Sequence, residues 1–200
     1  MKLYEPFPDS ITVDGREYRL TLWFDRVIRY FDLLGDDRLT PEEITAAGFA
    51  WLVDCPRPPA PEVCARVLRC IEHDIIAPPR RQLSSRRAQK RAVDFTFDAQ
   101  EIYASFMRDY GIDLVKERGR LHWCAFIALF NGLSDDTPIR RIMRIRTEEM
   151  PLPTRSNAKQ LQTLTELKTL YALPDSGGEH ADNWDGLFDM LLGQAEKGGG

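Results

Sequence analysis

Residues 119–133 read GRLHWCAFIALFNGL, and this stretch decides the fold. Trp123, Phe126, Ile127 and Phe130 recur at i, i+3, i+4 and i+7, the repeat of one helical face. Leu121 and Leu133 extend the apolar character to both ends, and few polar side chains interrupt it. A helix that is apolar on most sides belongs inside a protein rather than on its surface. The stretch therefore predicts a central, buried helix, with Trp123 and Phe126 as core residues rather than a ligand cage.

The flanking sequence supplies helices to pack against it. Downstream, SDDTPIRRIMRIR (134–146) offers Asp136 or Thr137 as a cap and Pro138 near the first turn. Its Ile139, Ile142 and Met143 are expected to face inward, and Arg140, Arg141 and Arg144 outward. Upstream, in FTFDAQEIYASFMRDYGIDL (95–114), Asp98 is expected to cap a helix lined by Ile102, Phe106 and Tyr110 and ended by Gly111. NAKQLQTLTELKTLYAL (157–173) predicts a late helix that stops at Pro174.

The N-terminal part is different only at its start. ITVDGREYRL (11–20) alternates Ile11 and Val13 with polar residues, turns at Asp14-Gly15 and returns through Tyr18 and Leu20, which predicts a β-hairpin. Trp23, Val27, Ile28, Phe31 and Leu34 then form a helical stripe ending near Gly35. Thr40, Pro41 and the acidic pair Glu42-Glu43 open a second helix. Prolines from Pro56 to Pro61 break the chain, and Val63, Val67, Leu68 and Ile71 line a third helix. The expected class is mainly α: a helical bundle with a short N-terminal β-hairpin, arranged as one body or as two small helical units.

Between the halves, APPRRQLSSRRAQKRAV (77–93) contains Arg80, Arg81, Arg86, Arg87, Lys90 and Arg91 and no acid. It reads as an exposed basic linker. The expected organisation is residues 1–77 (hairpin and helices), 78–92 (linker), 93–174 (helical domain) and 175–200 (acidic tail). The tail holds six acids against Lys197. It also places Trp184, Leu187, Phe188 and Leu191 at i, i+3, i+4 and i+7. Such a short amphipathic helix either folds back on the chain's own core or docks in a groove of a partner or neighbouring copy. A disordered tail is the third reading.

Composition and motif searches narrow the function. The chain is 43% hydrophobic and 29% charged with a net charge of −4, so the whole molecule is not a basic nucleic-acid binder. No apolar run approaches the roughly 20 residues that span a bilayer. MKLYEPFPDS has one lysine and no apolar core of a signal peptide, so a cytosolic protein is expected. Phosphate-binding, nucleotide-binding, nucleophile-elbow and zinc-ligand patterns are all missing from the sequence. Cys55, Cys64, Cys70 and Cys124 have no paired spacing and read as free thiols; Cys70 with His73 would give a metal only two ligands. Asp135-Asp136 and Glu148-Glu149, like Glu42-Glu43, fit helix-end roles better than acid–base work. His122 has no nucleophile or orienting partner in the pattern and reads as a packed or capping histidine. A non-enzymatic protein without cofactor or metal is expected. The linker's six cations can neutralise phosphates or clasp an acidic protein surface. No aromatic residues are interleaved with them to stack on bases, which disfavours nucleic acid.

The same blocks resemble a known family, the gene-product-fifteen proteins of long-tailed bacteriophages and prophages. The resemblance is carried by FTFDAQEIYASFMRDYGIDL, LHWCAFIALFNGLSDDTPIRRIMRIR and LKTLYALPD, in that order and spacing, and by the opening LYEPFPDSITVDGREYRL. It covers about residues 3–175 and is weakest between 40 and 92. Cys124 stands where the family usually has a second aromatic residue after LHW. The resemblance implies a role in building the phage tail in the host bacterial cytoplasm. The expected protein is a tail assembly chaperone whose partners are the tape measure protein, the tail tube protein or both, and further copies of itself in a homo-oligomer. The alternatives are a structural tail or connector component of the virion, and a nucleic-acid-binding regulator. The acidic tail lies outside the blocks that carry the resemblance.

Overall fold

The computed structural model describes residues 4–76, 92–154 and 157–174. The predicted hairpin is present. Strand β1 (Ser10–Val13) pairs antiparallel with β2 (Arg16–Leu20), with Ile11 opposite Tyr18 and Val13 opposite Arg16. Asp14 and Gly15 both take positive φ, 51° and 76°. Two successive residues of that kind give a tight turn whose twist matches the strands. Val13, Tyr18 and Leu20 are buried. A two-residue strand β3 (Val53–Asp54) adds to the other edge of β2, a pairing too short to carry a sequence pattern.

Helices make up most of the rest. Helix α1 (Phe24–Leu34) ends at Gly35 as expected, but its inner face is rotated from the expected stripe. Phe24, Val27, Tyr30 and Phe31 are buried, whereas Trp23, Ile28 and Leu34 are half-buried. Helix α2 (Pro41–Leu52) begins with a complete capping box. The Thr40 hydroxyl accepts from the Glu43 amide, and the Glu43 carboxylate accepts from the Thr40 amide at 2.8 Å. Gly48 lets α2 approach α1, because a Cβ there would lie 2.4 Å from the Tyr30 ring. Helix α3 (Pro61–Ile71) buries Cys64, Val67, Leu68 and Ile71, leaving Val63 half-buried. It runs on into one wider π turn at Glu72–Ile76.

After residue 92 come α4 (Ala99–Tyr110), α5 (Trp123–Asn131), α6 (Pro138–Thr147) and α7 (Ala158–Leu170). Gly111 ends α4 in the left-handed region, at φ 65°. Residues 119–133 contain α5, with Trp123, Phe126 and Phe130 buried and Ile127 half-buried.

Helix α5 joins both halves of the chain. Phe126 stacks on Phe24 of α1 (ring centroids 5.0 Å apart) and on Phe106 of α4 (5.2 Å). Trp123 meets Phe31 edge-on at 5.4 Å, and its indole N–H donates to the Ile76 carbonyl. Phe95 packs against Trp123, Phe126 and Phe130 together. Trp23 and His122 form an antiparallel bridge in which the Trp123 amide donates to Leu22 and the Phe24 amide to Leu121. One apolar cluster therefore runs from Val13 to Met143, across the position of the basic stretch. The mainly α class with a short N-terminal hairpin is the observed fold.

Candidate functional site

The two segments expected to contact partners both lie outside the described residues. These are Arg80, Arg81, Arg86, Arg87, Lys90 and Arg91 in the basic stretch, and Trp184, Leu187, Phe188 and Leu191 in the tail. The structure does describe where the basic stretch rejoins the body, at Ala92, and where the tail leaves it, after Pro174.

Both points are built around Arg146. Ile139, Ile142, Met143 and Arg146 share the inner face of α6 at i, i+3, i+4 and i+7, so the helix carries a guanidinium on its buried stripe. Arg146 is 7% exposed and Asp98 only 2%. Arg146 Nη1 donates to Asp98 Oδ2 at 2.6 Å and Nη2 to Asp98 Oδ1 at 2.7 Å, a two-pronged pairing. Nη1 also donates to the Ala92 carbonyl at 3.0 Å, and Nε to the Tyr171 carbonyl at 2.6 Å. Ala92 is the first described residue after the basic stretch, and Tyr171 lies three residues before Pro174, the last one before the acidic tail. One side chain thus ties the end of the basic stretch and the start of the acidic tail to the body.

Asp98 corrects an expectation. It occupies the position preceding α4, but its side chain makes no capping bond to that helix. Its carboxylate accepts from Arg146 and from the Asp94 amide at 2.9 Å. A buried guanidinium offers two charge-assisted donors, which outcompete a single backbone amide. Arg140 is also corrected: its side chain is 12% exposed and reaches Asp135 at 3.6 Å, whereas Arg141 and Arg144 face solvent as expected.

Further polar contacts fix α6 and α7. Buried Ser105 on α4 accepts from the Ile139 amide at 3.2 Å and donates to the Glu101 carbonyl, satisfying an amide in the first turn of α6. Thr137 occupies the N-cap without a side-chain capping bond; its hydroxyl donates to the Ser134 carbonyl instead. Arg108 pairs with Asp136, whose carboxyl is held below its usual range first by the Ser134 hydroxyl and then by Arg108. At the other end of α6, Lys168 Nζ of α7 donates to the Ile145 and Arg146 carbonyls at 2.8 and 3.0 Å. A cation there offsets the negative end of the helix dipole. Helix α7 contributes no fully buried residue, so its attachment is largely polar.

Two other titratable groups have defined structural work. His122 caps α5: Nδ1 accepts from the Cys124 amide at 3.1 Å. The opposite nitrogen, Nε2, lies 3.2 Å from the Pro8 carbonyl, and the ring stacks on Phe7. The Nδ1 acceptor role places the proton on Nε2. Burial lowers the His122 pKa, opposed by the Pro8 carbonyl and Asp9. The capping reading of this histidine therefore holds. Tyr30 donates to Glu72 at 2.5 Å at the start of the π turn; burial raises both of their pKa values. Among the described residues no cluster of three His, Cys, Asp or Glu side chains could hold a metal, and no helix is long and apolar enough to cross a membrane. Cys70 is half-buried, and His73 pairs with Asp74.

What these elements define is a mainly α protein with a continuous aromatic core and a polar knot that holds the end of a basic segment and the start of an acidic one. The family model for Bacteriophage Gp15 protein matches residues 3–173, and the chain belongs to that family. No curated protein and no solved structure matches it.

Proposed function

We propose that this phage protein acts in tail morphogenesis as an assembly chaperone, binding the tape measure protein, the tail tube protein or both. Membership of a bacteriophage family supports the reading. The observation that carries it is that Arg146 bonds both Ala92, where the basic stretch ends, and Tyr171, just before the acidic tail. A body that holds the end of a basic segment and the start of an acidic, amphipathic one on the same side chain is suited to gripping an elongated helical client. Helix-in-groove contacts need an i, i+3, i+4, i+7 set of anchors, and Trp184, Leu187, Phe188 and Leu191 have that spacing.

Co-expression with the tape measure protein is the direct test. The soluble yield of the tape measure is expected to rise and the two proteins to co-purify. No change in yield together with no co-purification, for tape measure and tube protein alike, rejects the proposal. Mass spectrometry of purified particles adds a second criterion. A chaperone is absent or substoichiometric there, whereas stoichiometric recovery would make the protein a structural component of the virion.

A further inference from the structure

The π turn at Glu72–Ile76 is held from outside at both ends. At its start, the Tyr30 hydroxyl of α1 donates to the Glu72 carboxylate at 2.5 Å. At its end, the Trp123 indole of α5 donates to the Ile76 carbonyl at 3.3 Å. Tyr30 is 2% exposed, its ring seated in the space that Gly48 leaves by lacking a Cβ. Wide turns of this kind are rare, and they occur mostly as single turns within α-helices.

The carboxyl at the start of the turn is also its titratable group. Burial raises the Glu72 pKa, against the Tyr30 hydrogen bond and the Arg69 guanidinium, which favour the charged form. The other charges on the surrounding elements are engaged elsewhere. On α1, Asp25 accepts from the Gly119 amide, Arg26 donates to the Trp51 carbonyl, Arg29 lies over the Trp51 ring, and Asp32 accepts from Thr96. The acids of α2 are Glu42 and Glu43, in its exposed first turn. On α3, Glu62 lies in the first turn and Arg66 pairs with Asp14. Helix α5 carries no charged side chain. His73 and Asp74, on the turn itself, pair with each other at the surface.

We propose that Glu72 makes the π turn a proton-controlled hinge, closed on Tyr30 while the carboxyl is neutral and opened into water when it ionises. The closed position favours the neutral acid and water favours the carboxylate, so ionisation shifts the balance toward the open turn. Opening therefore rises with pH from the carboxyl's ordinary value of 4.5 up to its value in the fold. The slope is at most about tenfold per pH unit, and opening is level beyond that window. Ile76 is the last described residue before the basic stretch, so the hinge lies where α3 hands the chain on to that segment. It needs no client and stands apart from the chaperone reading.

Hydrogen exchange on the full chain between about pH 4.5 and 8, corrected for the pH dependence of free-peptide exchange, reads this opening. The opening of Glu72–Ile76 is expected to increase by about threefold or more across that range, with no parallel increase in the α5 amides. Glu72→Gln keeps an acceptor for Tyr30 without a titrating charge, and its opening is expected to stay level. Tyr30→Phe withdraws the donor that favours the charged form, and it extends the rise to higher pH. Unchanged circular dichroism confirms the folding of both variants. Carbon-13 NMR titration of the Glu72 carboxyl in the parent protein needs no variant, and its midpoint is expected above 4.5. Opening that is level or falls with pH in the parent overturns the proposal, as does an equal rise in Glu72→Gln. A midpoint at or below 4.5 overturns it too, and so does a rise shared equally by α5, which would assign the effect to global unfolding.

Discussion

Arg146 and Asp98 are a buried ion pair, and Arg146 also bonds the Ala92 and Tyr171 carbonyls. Removing one partner leaves the other charge buried and unpaired, which costs about 3–5 kcal/mol. Arg146→Met is therefore expected to lose that much in a chemical denaturation experiment. Arg146→Met with Asp98→Leu is expected to recover part of it, because the apolar pair leaves no orphaned charge although the Ala92 and Tyr171 carbonyls and the Asp94 amide lose these partners. His122 gives a second prediction, with a definite sign. Its pKa is lowered in the fold, so the unfolded chain binds the proton more readily. Its contribution is complete above the unfolded value of about 6.5 and is lost as the pH falls below that. His122→Asn keeps a capping acceptor without a titrating ring. The stability advantage of the parent over this variant is expected to shrink between pH 7.5 and 5. An advantage that grows on acidification would refute the preference of the fold for the neutral ring. Individual roles of this kind were only half legible in the sequence. The histidine cap could be read because His122 directly precedes an apolar helical run. Arg146 was missed because a charge on a helix is ordinarily assigned outward. Its i+4 and i+7 relation to buried Ile142 and Ile139 was the available sign.

At the scale of elements, α7 is the least anchored helix of the described chain. It has no fully buried side chain, and Lys168 and Tyr171 carry its bonds to α6 and Arg146. Lys168→Met removes the ammonium from the α6 carbonyls. Amide exchange across Ala158–Leu170 is expected to accelerate by an order of magnitude or more. Exchange in α5 should stay unchanged. Equal acceleration in both helices would mean that α7 is integral to the core. Existence and type were read correctly for the hairpin and the helices, because turn chemistry and capping are local. Asp14-Gly15 and the Thr40–Glu43 box act within four residues. The rotated face of α1 was not readable. Burial of Tyr30 depends on Gly48 of α2 and Glu72 of the π turn, 42 residues away in the second case.

For the whole molecule, the decisive relation is between halves separated by the basic stretch. Phe24 and Phe31 on one side meet Phe126 and Trp123 on the other. Unfolding is accordingly expected as a single cooperative transition. Tryptophan fluorescence and far-ultraviolet circular dichroism should give coincident curves. Two resolved transitions would separate the halves. The sequence allowed one body or two small units, since the linker's charge marks a break in composition and says nothing of contacts across it.

The Arg146 knot also has a consequence for the order in which the molecule is made. Asp98 is synthesised 48 residues before its guanidinium partner, and the Tyr171 carbonyl follows 25 residues after Arg146. A growing chain can assemble the hairpin and the first three helices early. It must hold the carboxylate at the start of α4 without its partner until nearly all of the described chain exists. The knot is thus a closing step in vectorial synthesis, completed just as the amphipathic tail begins to follow.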